Sequence, residues 1–361
     1  MTMLSLVLDH HTNKLVLENQ SLKIMKDDIV TERVPLSLLK EVIVHGNCDA
    51  NTNVWRALAK EHIATVLLPG RGKGEAVFLN ASLSSGYPTR QFQHRLTAQG
   101  KLHMTRYFVH QKILSLEQLI AWLSTQKMAN KNDLRAVTKK LASAIAQLDN
   151  SQYPQLLGIE GSSTQAIYKV LKTCIPKKWA FKGRNKYPPK DPVNALLSLC
   201  FTLILSHVKQ GVVATGFDPS LGFLHTPYPA RPSLALDIIE PFRAGAMSFV
   251  LAWLIDSPYS PDDFTKASAT QGVRMKKTMR GAFYSAWYQF TQNWTFFTHA
   301  LEKQSNLNTL IFNQCHHTRS HLHQLYRDQP HFFYPIKDEI SNKNKNKNEN
   351  EKENKNESTP L

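Results

Sequence analysis

Ser84-Ser85-Gly86-Tyr87-Pro88 is a cluster of turn-forming residues between two stretches of chain with different periodicities. Upstream lie short β-prone runs separated by polar residues, such as Ser5-Leu6-Val7-Leu8-Asp9, Lys14-Leu15-Val16-Leu17-Glu18, Leu22-Lys23-Ile24-Met25 and Glu41-Val42-Ile43-Val44. One helix is expected there, over Thr52 to His62 with Asn51 or Asn53 as its cap, followed by a strand from Ile63 to Leu68. Downstream the pattern is helical. Arg90 to Leu114 holds few breakers, and Asp133 to Leu148 spaces its apolar residues at the helical period. Asp191-Pro192 reads as a helix start, an Asp cap with Pro at the first position, and that helix should run to about Gln210. Further helix is expected across Leu234 to Leu254 and Lys276 to Tyr326. The fold class that follows is α+β by domain: a small N-terminal β-rich domain over residues 1–85, then a larger all-α domain over 86–338. The Lys/Asn/Glu-rich tail of residues 339–361 has too little apolar content to build a core and is expected to be disordered.

The 361 residues carry 44 Lys and Arg against 28 Asp and Glu, a formal charge of +16. The tail from Ser341 holds five Lys and four Glu, so the excess lies in the body of the chain. Such a body favours a polyanionic partner. The four cysteines form no CxxC pair, which argues against a zinc ribbon, and Cys200 reads as a small core residue. Scattered thiols, no basic-then-apolar leader in the first residues, and no apolar run of 18 residues without charge lead to the expectation of a cytoplasmic protein that does not span a membrane.

Several clusters admit simple explanations. Gly70-Arg71-Gly72-Lys73-Gly74 lacks the ending of a phosphate-binding loop and is expected to be a hairpin turn. Cys315, His316, His317, His321 and His323 are read as a solvated helical face before a metal site. Lys276, Lys277 and Arg280 alternate with Phe283, Tyr284, Trp287 and Phe290, giving a helix with basic surface and aromatic core.

Residues 156–243 are the most informative. Glu160 follows Leu157-Gly158-Ile159 and precedes Gly161-Ser162-Ser163, small residues that let another chain or helix approach. His225 ends Gly222-Phe223-Leu224-His225. Asp237 and Glu240 stand three apart in Leu234-Ala235-Leu236-Asp237-Ile238-Ile239-Glu240-Pro241-Phe242-Arg243, which predicts that both share one helix face. Acids among Leu, Ile and Phe require compensating positive charge. Carboxylates with one imidazole are typical ligands of Mg²⁺ or Mn²⁺. The alternative is a buried salt bridge from Asp237 or Glu240 to Arg243 or Arg231, with His225 a core histidine.

Four segments of this region, in order and with fitting spacing, resemble the CRISPR-associated protein one family, the integrases that capture new spacers. They are Leu157 to Gly161, Arg184 through Pro188 to Ser198, Gly222 to His225 and Ser233 to Arg243. The resemblance implies that Glu160, His225 and Glu240 hold a divalent metal, Mg²⁺ or Mn²⁺, with Asp237 beside them as a supporting or second-metal acid. It implies a supporting or DNA-contacting role for Asn194, and phosphate or carboxylate contacts for Arg184 and Arg243. For Arg231 the match is weaker, because Pro229-Ala230 precedes it where the family often has Gly. It further implies transesterification by a 3′-hydroxyl of a short duplex, a homodimer, double-stranded DNA as prespacer and repeat, and a small ferredoxin-like partner subunit. A transposon-borne relative and a non-enzymatic DNA-binding scaffold are the rival expectations.

Overall fold

The structure, a computed structural model, describes residues 4–8, 13–26, 29–45, 47–61, 63–68, 77–79, 87–185, 188–256, 258–266, 272–297 and 306–335. The tail, the glycine-rich 70–74 segment and most of the 84–88 cluster fall outside them.

Eight strands come first: β1 (Leu4–Leu8), β2 (Asn13–Glu18), β3 (Ser21–Lys26), β4 (Ile29–Pro35), β5 (Leu39–His45), β6 (Asp49–Ala50), β7 (Ala64–Leu68) and β8 (Val77–Leu79). The helix α1 (Thr52–Lys60) lies between β6 and β7. Its cap is Asn51, whose side chain accepts from Asn53 N. The strands form two four-stranded sheets, ordered β1-β5-β7-β8 and β4-β3-β2-β6. In the first, β1, β5 and β7 run parallel and β8 antiparallel. Leu15, Leu22, Val42, Val54 and Leu58 are buried in one cluster that joins both sheets and α1.

Helices follow: α2 (Tyr87–Arg95), α3 (Ala98–Thr125), α4 (Lys131–Gln147), α5 (Tyr153–Cys174), α6 (Pro192–Ala214), α7 (Ser233–Ile238), α8 (Arg243–Asp256), α9 (Lys277–Gln292) and α10 (Leu307–Asp328). Strand-rich and helical halves therefore succeed each other as the periodicities require. Tyr87 and Pro88, expected in the linker, instead open α2. The expected Arg90–Leu114 helix breaks at Leu96 and Thr97, where Thr97 caps α3 by accepting from Gly100 N. α6 starts where predicted, on the Asp191 cap with Pro192 behind it, and continues to Ala214.

The larger correction concerns Leu234–Leu254, expected as one helix. α7 ends at Ile238, Glu240–Phe242 form a single 3₁₀ turn, and α8 begins at Arg243. Pro241 supplies the reason: it has no N–H to donate and its ring crowds the preceding turn. Asp237 and Glu240 thus sit on different elements rather than on one face of a helix.

α3 is the spine of the helical part, packing against α4, α5, α8 and the 240–242 turn, while α6 packs against α7, α8, α10 and β7. Ile43, Val66 and Leu68 extend the sheet into this helical core. Pro192–Ala214 and Ser233–Asp256 are apolar and long enough to cross a membrane by composition alone; 61% and 78% of their most apolar windows are buried inside the protein, as core helices are. On α9, Phe283, Tyr284 and Trp287 are buried and Lys276 and Lys277 exposed, as expected.

Gly245 allows the Trp294 ring to lie directly on α8. A Cβ at that position would come within 2.3 Å of Trp294 Cζ2. Gly245→Ala should therefore lower stability by about 1–3 kcal/mol through overpacking. A drop in the urea midpoint at unchanged slope is the expected result; an unchanged midpoint would contradict this packing.

Candidate active site

Four elements converge on one buried ammonium. Lys112, from the middle of α3, pairs with Glu160 Oε1 on α5, and its Nζ lies 2.6 Å from Glu240 Oε2 in the 3₁₀ turn. Arg243 Nη2 reaches Glu240 Oε1 at 3.2 Å from the first turn of α8. The Lys112 side chain is only 5% exposed and that of Glu240 4%, while that of Glu160 is 25% exposed. Thr164, one turn after Glu160, donates its hydroxyl to Glu160 O at 2.9 Å and to Oε1 at 3.3 Å.

Charge explains why this arrangement holds. Burial alone would push the Glu240 carboxyl up, but Arg243 and Lys112 outweigh it and hold the group down at about 2. Burial would likewise lower the Lys112 ammonium, and Glu240 and Glu160 raise it instead. Glu240 Oε2 has the Lys112 ion contact but no directed hydrogen bond. The expected alternative of a Glu240–Arg243 salt bridge is thus part of the site, and Lys112 is the closer partner that sequence reasoning missed. A signal existed: Lys112 falls on the buried stripe Phe108, Val109, Lys112, Ile113, Leu116, where an unpaired charge is not tolerated.

Asp237 performs a different task. It is fully buried, and its oxygens accept from Phe223 N at 2.6 Å, Leu224 N at 3.1 Å and His225 N at 2.8 Å. His225 Nδ1 lies 2.7 Å from Asp237 Oδ1. An ionised carboxylate can only accept, so Nδ1 donates in this bond, and the other ring nitrogen takes no part in it. Burial pushes the Asp237 carboxyl up, against the hydrogen bonds from His225 and the loop N–H groups. The loop is held from other sides too: Thr105 donates to Phe223 O at 3.0 Å and Tyr153 to Leu224 O at 2.8 Å. Gly222 permits the tight approach, since a Cβ there would meet His225 O at 2.5 Å and Ser233 C at 2.8 Å. His225 stands within electrostatic reach of Glu240.

Glu160 and Glu240 thus meet at Lys112, and His225 acts on Glu240 only through its charge field. Among the described residues, no three His, Cys, Asp or Glu side chains stand close enough as placed to enclose an ion. Asp237, expected beside a metal, has its oxygens engaged by N–H donors.

The expected nucleic-acid contacts separate in the structure. Asn194 is fully buried; its Oδ1 accepts from Arg184 Nη1 at 2.9 Å and Asn185 N at 3.0 Å, and its Nδ2 donates to Gly183 O at 2.9 Å and Asp191 Oδ2 at 2.7 Å. So saturated an amide fits the supporting alternative rather than the DNA-contacting one: Asn194 positions Arg184. Arg184 and Arg243 lean on the same ring, 5.6 Å and 4.8 Å from the Phe201 centroid. Arg231 lies in the loop before α7, with its backbone N–H on Tyr228 O at 3.0 Å, and makes none of the described ion pairs to these carboxylates.

Gly158 and Gly161 flank Glu160 and have nothing within 4 Å of where a Cβ would stand, so among the described residues no helix packs there, and of the two expected neighbours another chain is the one this surface has room for. The space opens on a groove of about 510 Å³ lined by Gly161, Thr164, Lys169, Lys172, Lys182 and Arg184. The 315–323 cluster divides: His316 and His317 are exposed, as a solvated face requires, while the other three residues pack against neighbours. Cys315 is buried, His321 stacks on Tyr107 at 4.6 Å and meets His103 at 3.3 Å, and His323 meets Thr89 at 3.0 Å.

The sequence profile of the CRISPR associated protein Cas1 family matches residues 6–289, and the chain belongs to that family. It is 31% identical over 262 residues to "CRISPR-associated endonuclease Cas1 1" of Thermodesulfovibrio yellowstonii, a match covering 72% of this chain and 82% of that protein. Among solved structures, a casposase bound to integration product superposes with a TM-score of 0.74 at 18% identity, covering 88% of this chain and 91% of the other. A Cas6-RT-Cas1–Cas2 complex gives a TM-score of 0.69 at 22% identity, over 90% of this chain and 35% of that longer chain. At these identities the two structural likenesses establish the fold.

Because the Glu240 carboxyl titrates lower in the fold than its ordinary 4.5, its ionisation stabilises the fold above about pH 4.5. That stability is lost progressively as pH falls toward 2. The melting temperature of the unaltered protein should fall across this window more steeply than that of Glu240→Gln. Parallel curves would show that the carboxylate is not held by Arg243 and Lys112.

Proposed function

We propose that this chain is a divalent-metal-dependent DNA integrase and endonuclease of CRISPR adaptation, joining 3′-hydroxyl ends of short duplex prespacers into the repeat array. The observation that carries this reading is the convergence of Glu160 and Glu240 on one buried cation, within electrostatic reach of an imidazole held at Nδ1 by Asp237, beside a basic groove. Its family membership supports the same activity.

Glu160, His225 and Glu240 fit a hard divalent ion. Their donors are two carboxylates and one imidazole, and Glu240 Oε2 keeps a lone pair that no directed hydrogen bond uses. Mg²⁺ or Mn²⁺ held there supplies Lewis acidity at the transferring phosphate and lowers the pKa of an attacking hydroxyl. The residues of the chain do the rest. Asp237 fixes the tautomer and direction of His225. Arg243 and Arg184, held over the Phe201 ring, offer guanidinium donors for phosphate oxygens. Lys169, Lys172 and Lys182 hold a DNA backbone along the groove without reading its bases. The open surface at Gly158 and Gly161 lets the duplex end approach Glu160 closely. In the reaction the 3′-oxygen forms a bond to phosphorus as the target strand's P–O bond breaks, and the proton released from the attacking hydroxyl ends on the leaving 3′-oxygen through solvent. No protein nucleophile is needed. Asp237 acts here by positioning His225 rather than as a ligand of a second ion. The chain would work as a homodimer with a small ferredoxin-like Cas2-type subunit, a reading supported by the Cas1–Cas2 assembly among its structural relatives.

The test is a joining assay with Mn²⁺ or Mg²⁺, the small partner and a supercoiled repeat plasmid. Alanine at Glu160, His225 or Glu240 should lower joining at least about 100-fold while duplex binding persists, the scale of losing a group that acts on the transition state. Full activity in any of the three removes that residue from the site, and equal product from a 3′-blocked duplex refutes the chemistry. Separately, Lys169, Lys172 and Lys182 changed together to Gln should reduce the log–log salt slope of duplex binding by about 2–3. An unchanged slope places the DNA elsewhere.

A further inference from the structure

Lys112 sits where a two-carboxylate site would place its ion. Its Nζ contacts Glu160 Oε1 and lies 2.6 Å from Glu240 Oε2, in a core that leaves the side chain 5% exposed. Burying an ammonium carries a desolvation penalty of several kcal/mol, and close pairing with carboxylates offsets it. The partners here are the same two carboxylates that the proposed function assigns to the metal. The side chain is a lysine, a compact charge on a flexible four-carbon stem, and not a planar fork that would lock both acids bidentately. Glu240 retains Arg243 as a second cationic partner. Adding a doubly charged ion while Lys112 stays in place would leave excess positive charge in a low-dielectric core.

We infer that Lys112 is a built-in stand-in for the divalent ion: its ammonium holds Glu160 and Glu240 together when no metal is bound, and metal entry displaces it from between them. This rests on the reading that Glu160 and Glu240 are metal ligands. Lys112 is in that case a positioning residue with two consequences. It keeps the ligand pair from repelling and drifting apart, and it competes with the ion it stands in for.

The experiment uses the full chain and Mn²⁺, with free Mn²⁺ followed by electron paramagnetic resonance and folding followed by thermal melting. Lys112→Met keeps the length and apolar stem and removes the charge. It should bind Mn²⁺ at least about tenfold more tightly than the unaltered protein, because a competing cation is gone. Without metal it should melt lower, and saturating Mn²⁺ should raise its melting temperature by more than that of the unaltered protein. Adding Glu160→Ala to it should abolish the gain in affinity. Equal or weaker Mn²⁺ binding by Lys112→Met overturns the stand-in role while leaving the metal reading intact. Failure of both proteins to bind Mn²⁺ sinks the metal reading itself. Should Lys112→Met be insoluble, Mn²⁺ in the growth medium is expected to restore soluble protein, and insolubility at every Mn²⁺ level also overturns the inference.

Discussion

Two acids three residues apart, Asp237 and Glu240, are buried in an otherwise apolar segment, and the helical half of the molecule is organised to neutralise each by a different means. Buried charge is tolerated only when it is paired or densely hydrogen-bonded. Asp237 gathers three backbone N–H groups and an imidazole from the 222–225 loop. Glu240 takes Arg243 from its own side and Lys112 from α3. If either acid lost its partners, the loop carrying His225 or the packing of α3 on the 240–242 turn would lose its reason to hold.

The same compensation links stability to chemistry. The loop that Asp237 anchors is also clamped by Thr105 of α3 and Tyr153 of α5, so His225 is fixed by three elements at once. The acid that Lys112 steadies is the acid that the proposed reaction needs. Preorganisation of this kind places donors before substrate arrives, which is where positioning and electrostatic contributions to rate arise. Arg184 and Arg243 on the Phe201 ring extend this order toward the groove, with Asn194 as the buried brace behind Arg184.

Local rules in the sequence carried much of the architecture. Period-two runs before residue 80 became strands, and the cap and proline at Asp191-Pro192 started α6. Glu160, His225 and Glu240 were visible as polar residues stranded among apolar or small ones. Where the expectations failed, a competing local or tertiary effect won. Pro241 ended a helix whose apolar pattern ran straight on, which moved Asp237 and Glu240 onto separate elements. The glycines beside Glu160 were read as room for another chain or a helix, and they border open space, because spacing alone does not say which of the two lies opposite. Cys315 and His321, read as a solvated face, were drawn into the contact of α10 with its neighbours.

By itself, the sequence determined the order of β-rich and helical halves, the caps that start the helices, and the need for positive charge near residues 237–240, since these depend on composition and short-range geometry. Only the tertiary structure decided which cation answers that need. Lys112 lies 48 residues before Glu160 and 128 before Glu240, and nothing in local pattern pairs groups at such separations. Their meeting follows from α3 crossing α5 and the 240–242 turn in one apolar core, where a charge must find its opposite or not be buried at all.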